Sequence, residues 1–135
     1  MEQKRKLVLM GNDAVGEAAL RCGCTFFAGY PISPQTQILD YLAREMPKRG
    51  CTFLQADSEL GAINMVIGAS IAGARALTVS SSTGLALMYE AFAAAADGEF
   101  PMVIMDVTRE GAAQTGIKAS QSDYNMLCLL YTSPS

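Results

Sequence analysis

Along the chain, short β-like apolar runs alternate with longer stretches of mixed polar and small residues. The runs lie at 6–10, 24–28, 51–55, 76–79 and 101–107. Each is of strand length, and the later ones are continuously apolar rather than alternating, as in strands buried on both faces. The intervening segments read as helices over 14–21, from near Pro34 through Leu42, 57–72 and 85–96. Gly11-Asn12-Asp13 looks like a cap for the first helix, and Pro34 is tolerated in a first turn. Pro47 and Gly50 end the second helix, and the serine-rich turn 80–84 opens the last.

This alternation predicts an α/β fold: a parallel sheet with helices on both faces. Ligand-facing loops in such folds follow the carboxyl ends of the strands. The polar, Gly- and Pro-rich segments 29–34, 56–59, 80–84 and 108–116 fall there repeatedly. Residues 127–135 follow a polar loop and stop without completing another α/β unit, which suggests a truncated or misassembled end.

Composition narrows the class. A chain of 135 residues, 50% hydrophobic and 17% charged, can build one cored domain and is no disordered tail. Its low charge fits burial against partner subunits, though also a compact monomer. A net charge of −3 argues against nucleic-acid or anionic-membrane binding, and Lys4-Arg5-Lys6 reads as a solvated end. The run after Lys6 is too short for a signal-peptide core. Residues 60–77 are interrupted by Asn64 and Arg75, and 84–96 is short and carries Glu90, so no membrane span is expected. The 4 cysteines (Cys22, Cys24, Cys51, Cys128) show no CxxC pairing. They are expected to be reduced thiols in a cytoplasmic protein, with no metal or iron–sulfur site built by this chain alone. The chain has 0 histidines, which excludes Ser–His–Asp and Cys–His machinery. Residues 68–73 match neither a Walker loop nor a dinucleotide fingerprint.

Three segments could carry chemistry. In Gly29-Tyr30-Pro31-Ile32-Ser33-Pro34-Gln35-Thr36, two prolines fix the backbone and leave hydroxyls and amides facing the space above the sheet. The helix that follows could hold an anion at its amino end, or the segment is an ordinary strand-to-helix turn. Asp57-Ser58-Glu59 opens a helix that is otherwise apolar and small. Glu59 is either a dipole partner or a carboxylate in dry surroundings, able to share a proton with a ligand nitrogen. Arg109 directly follows a strand; it could clamp a carboxylate through paired hydrogen bonds or lie on the surface. The hydroxyls of 78–83 could bind an anion, but helix capping is the favoured reading.

Together these segments resemble the α-subunits of 2-oxoacid:ferredoxin oxidoreductases, of the 2-oxoglutarate and 2-oxoisovalerate types. Tyr30-Pro31-Ile32-Ser33-Pro34 is similar to the family's Tyr-Pro-Ile-Thr-Pro, with Ser33 in place of threonine. Gly11-Asn12, the segment from Gln55 to Glu59 with Gly68-Ala69-Ser70 and Ala72-Gly73-Ala74-Arg75, residues 80–88, the arginine loop 106–116, and Gln121 with Asp123 match in order. Thr83 stands where the family usually has proline. The resemblance implies a thiamine-diphosphate-binding fold in which residues 1–126 form a partial pyrimidine-binding domain, with 127–135 an atypical tail and the sheet incomplete. It implies that Glu59 hydrogen-bonds the aminopyrimidine, that Tyr30 and Pro31 help bind the cofactor, and that Ser33 and Arg109 hold the substrate carboxylate. The reaction implied is oxidative decarboxylation of a 2-oxoacid to acyl-coenzyme A. The Gly-Asp-Gly…Asn pattern for magnesium and diphosphate is missing from the sequence, as are cluster-ligating cysteines. A β-subunit sharing the thiamine diphosphate and carrying Mg²⁺, further iron–sulfur subunits and ferredoxin are therefore the expected partners of a hetero-oligomer. A thiamine-diphosphate enzyme without ferredoxin, transketolase- or decarboxylase-like, is one alternative; a non-catalytic assembly subunit or inert fragment is the other.

Overall fold

The computed structural model describes residues 7–110 and 116–129. Its elements are α1 (Gly11–Arg21), β1 (Phe26–Gly29), α2 (Thr36–Glu45), a 3-10 turn (Pro47–Arg49), β2 (Thr52–Gln55), α3 (Glu59–Ile71), β3 (Ala76–Ser80), α4 (Thr83–Leu87), α5 (Tyr89–Asp97), β4 (Met102–Asp106) and α6 (Ser122–Leu129). The four strands form one parallel sheet in the order β2-β1-β3-β4, as the alternation predicts.

Neighbouring strand residues point to opposite faces, so each strand feeds two cores. Phe27, Leu77 and Val79 pack with Leu20, Ile38, Leu39 and Leu42 from α1 and α2. Ala28 and Ala76 pack with Ala62, Ile63, Val66, Met88 and Ala91 from α3 and the α4–α5 segment. Helices cover both faces of the central strands β1 and β3, whereas Leu54 of β2 and Val103 of β4 remain exposed. Gly16 lets α1 and α2 approach closely, since a Cβ there would come within 2.7 Å of the Tyr41 ring. Glu17 fastens the same seam: its carboxylate accepts from Arg21 Nε, Arg49 Nη2 and Tyr41 Oη at 2.8, 2.7 and 2.9 Å. The Arg21 bond leads in holding its pKa down to about 2, aided by Arg49 and Tyr41 against the opposing effect of burial.

Several local expectations are corrected. The run at 6–10 forms no strand among its described residues. Leu7 to Met10 lie exposed, Val8 fully, and lead without a turn into α1; four apolar residues in a row do not by themselves distinguish a strand from an arm. Gly11-Asn12-Asp13 is not a cap but the first turn of α1, with Met10 as the extended N-cap residue. The Asn12 amide is drawn instead to tertiary partners, donating to the Pro34 carbonyl at 2.9 Å and to Gln37 Oε1 at 2.8 Å. The single helix expected at 85–96 is two, because the amide of fully buried Met88 bonds back three residues to Leu85 and bends the chain there. Ser82 precedes α4 without a side-chain cap bond, so the capping expected of the serine run is not its role there. Helix α6 includes both Met126 and Leu127; residues 130–135 lie outside the described residues, as does Lys4-Arg5-Lys6. Cys22, Cys24 and Cys51 are free thiols.

Candidate active site

The strand order sets where a ligand can enter. The chain leaves β1 outward to β2, then returns across β1 to β3 and β4, so the connections after β1 and β3 diverge. That divergence opens a crevice at the carboxyl edge of a parallel sheet. A cavity of about 440 Å³ lies there, lined by Tyr30, Pro31 and Ile32 after β1, Glu59 after β2, Thr83 and Leu87 after β3, and Arg109 after β4. All four strands contribute a wall.

Glu59 is the first residue of α3, and its side chain is only 7% exposed. Ser58, not Glu59, caps the helix, its Oγ accepting from the Gly61 amide at 3.0 Å. The carboxylate is therefore free of capping duty and faces the cavity. Gly84 makes room for it: a Cβ there would lie 2.6 Å from Glu59 Oε1 and collide with Ser80 Oγ.

The Tyr30–Gln35 loop is gripped from several directions. Its prolines lack N–H groups, so its carbonyls anchor it. The Tyr30 carbonyl accepts from Gln35 Nε2 at 2.8 Å, Pro34 from Asn12, and Ser33 from Arg109 Nη1 at 2.9 Å. Gln35 corrects the expectation that the loop's amides face the space above the sheet, for it is fully buried and turned toward its own backbone. Ser33 is exposed and outside the cavity lining, at the rim beside Arg109. Arg109 is 4% exposed, and its Nε is buried without a partner among the described residues. Tyr30, Pro31, Glu59 and Arg109 are thus brought together on one cavity, with Ser33 joined to them through its main chain.

Behind the crevice lies a polar layer that periodicity does not reveal. Asp106 pairs in register with Ser80, on the face that meets α3. Burial first, and then the charge of Asp123, push its pKa up to about 6. Its Oδ1 is buried without a partner among the described residues, as are the hydroxyls of Thr78, Ser80 and Ser81. The folded state therefore holds the Asp106 proton more tightly than the unfolded chain, and this group's contribution to stability declines as pH rises from about 4 through about 6. Asp106→Asn removes the penalty, so the variant should melt higher than the parent at pH 8 and close to it near pH 4. Equal melting temperatures at both pH values would refute this.

Comparison with known proteins places this geometry. The family model described as pyruvate flavodoxin/ferredoxin oxidoreductase, thiamine diphosphate-binding, matches residues 17–132. The chain belongs to that family. It is 45% identical over 117 residues to the 2-oxoglutarate synthase subunit KorA of Methanothermobacter thermautotrophicus, covering 85% of this chain and 31% of that protein. It is 44% identical over 120 residues to the ketoisovalerate oxidoreductase subunit VorB of Methanothermobacter marburgensis, covering 89% of this chain and 34% of that one. The chain thus spans about a third of the length of the curated relatives it matches. A solved structure of the 2-oxoglutarate:ferredoxin oxidoreductase from Magnetococcus marinus, with 2-oxoglutarate, coenzyme A and succinyl-CoA bound, superposes with a TM-score of 0.85 at 40% identity. That superposition covers 93% of this chain and 22% of the other. Among the described residues, no helix is long and apolar enough to cross a membrane, and no group of three or more His, Cys, Asp or Glu could hold a metal ion.

Proposed function

We propose that this chain is the pyrimidine-binding part of the α-subunit of a 2-oxoacid:ferredoxin oxidoreductase, with residues 1–126 forming that partial domain. The observation that carries this reading is the placement of a nearly buried carboxylate, Glu59, on the same crevice as Arg109 and the Tyr30–Pro31 bend. The surroundings fit a flat heterocycle: Tyr30, Ile32 and Leu87 supply apolar walls, and Glu59 supplies the polar contact at their inner end.

Thiamine diphosphate, when bound, supplies the electron sink that lets a 2-oxoacid lose carbon dioxide. Glu59 shares a proton with the ring nitrogen of its aminopyrimidine, and the low local polarity keeps that hydrogen bond from being lost to water. Tyr30 and Pro31 shape the wall against which the ring lies. Arg109 holds the substrate carboxylate by charge, and Ser33, at the rim beside it, adds one hydrogen bond. The relatives named for 2-oxoglutarate and ketoisovalerate, and the neighbour with coenzyme A bound, support a 2-oxoacid as substrate and coenzyme A as acyl acceptor.

The diphosphate and its Mg²⁺ fall to a β-subunit, and the electrons to iron–sulfur subunits and then ferredoxin. We place the assembled enzyme in the cytoplasm.

The test is viologen dye reduction by the reconstituted complex. It should require a 2-oxoacid and coenzyme A together, with 2-oxoglutarate and 2-oxoisovalerate tried in turn. Decarboxylation without dye reduction would instead identify a thiamine-diphosphate enzyme that does not use ferredoxin. An active complex indifferent to this chain would mark it as an assembly subunit or inert.

A further inference from the structure

We propose that Asp123 is a positioning residue, whose buried carboxylate ties the turn after β3 to the turn after β4 and so fixes Arg109 at the crevice wall. The proposal rests on the reading of Arg109 as the group that holds the substrate carboxylate.

Asp123 is 2% exposed, in the first turn of α6. A single oxygen, Oδ2, accepts from the Ser82 amide at 3.1 Å and from the Arg109 amide at 3.0 Å. The residue before it, Ser122, donates its Oγ to the Arg109 carbonyl at 2.9 Å. Both main-chain groups of Arg109 are therefore held by consecutive residues of one helix turn. Its guanidinium, anchored at the far end on the Ser33 carbonyl, has little freedom left.

The second tied amide matters as well. Ser82 has φ 48° and ψ −116°, a region that residues with side chains avoid. It immediately precedes Thr83, which lines the cavity, and Gly84, which makes room for Glu59. A carboxylate collecting two backbone amides is a strong, charge-assisted acceptor, able to hold such a conformation. Asp123 thus links the Arg109 wall to the Thr83 wall, although it does not itself line the cavity.

The experiment uses the assembled enzyme, with whichever of 2-oxoglutarate or 2-oxoisovalerate it turns over faster. Asp123→Ala, Asp123→Asn, Arg109→Gln and the Asp123→Ala/Arg109→Gln double variant are compared. Two readouts are taken: steady-state KM for 2-oxoacid and coenzyme A, and hydrogen exchange of amides in peptides spanning 80–84 and 107–110. Asp123→Ala should raise the 2-oxoacid KM at least tenfold, leave that for coenzyme A in place, and accelerate exchange in both peptides. Asp123→Asn keeps an acceptor oxygen and should recover most of both effects; if the alanine variant does not assemble, it should still show a several-fold shift in the same direction. The double variant should be no worse than Arg109→Gln alone. Unchanged exchange would mean that the tie does not exist. Faster exchange with an unchanged 2-oxoacid KM, while Arg109→Gln raises it, would show a tie that positions nothing; either result overturns the proposal. A normal KM in Arg109→Gln would overturn the reading of Arg109 and this proposal with it, and the exchange data would separate that failure from loss of the tie.

Discussion

Glu59→Gln should lower turnover of the assembled enzyme roughly 10²–10⁴-fold, the usual loss on removing a positioned acid–base group. Glutamine keeps the volume and leaves the start of α3 intact, since the Ser58 hydroxyl makes the cap. What it loses is the shared proton. Glu59 is itself nearly buried, so water is a poor substitute for its carboxyl group at that position. Thiamine diphosphate retained after gel filtration should change far less than kcat, because apolar contacts and the partner's diphosphate site persist. Wild-type kcat in this variant would remove Glu59 from the chemistry.

Arg109→Gln should raise the KM for the 2-oxoacid roughly thirtyfold or more. Truncating one partner of a buried, hydrogen-bonded charge pair costs about 2–5 kcal/mol, and each 1.4 kcal/mol is about a tenfold change. Arg109 is buried, and its Nε has no partner among the described residues, so a donor waits there for an acceptor. Arg109→Lys should recover only part of the loss, because an ammonium is a point charge without the planar fork that matches a carboxylate. The KM for coenzyme A provides the control. A parallel rise there would point to a distorted loop, not to a lost carboxylate contact.

Much of the scaffold was legible along the chain because its cause is local. Strands in the middle of such a sheet are mostly apolar, so 76–79 identifies itself, and 101–107 still reads as a strand although Val103 stays exposed and Asp106 is polar. In a parallel sheet the loops after the strands must be the functional ones, which singled out Tyr30, Glu59 and Arg109 before any contact was known. Where the local signal was short, it misled. The arm at 7–10 looked like a strand because four apolar residues carry no information about what they will pair with. Gly11-Asn12-Asp13 looked like a cap because Asn12 has the right side chain, whereas its amide reaches Pro34 and Gln37, 22 and 25 residues away.

The missing parts of the site are of the same kind. Gln35 was passed over as a loop residue, yet it is buried and holds the Tyr30 carbonyl. Asp106 lies within the 101–107 run; its raised proton affinity arises from burial and from Asp123, which the sequence places in another segment. The one signal available for Asp123 was its place in the Gln121-x-Asp123 pattern, which flags a residue without saying what it does.

From the order of residues alone came the alternating architecture, the edge of the sheet on which the cavity opens, and the residue types offered there. Those follow from periodicity and turn chemistry, which act over a few neighbours. Tertiary structure alone decided that Glu59, Arg109 and the Tyr30–Pro31 bend share one cavity, and that Asp123 ties Ser82 to Arg109 across 41 and 14 residues. A hydrogen bond depends on distance in space, and only the crossing of the chain from β2 back over β1 to β3 brings those groups within reach.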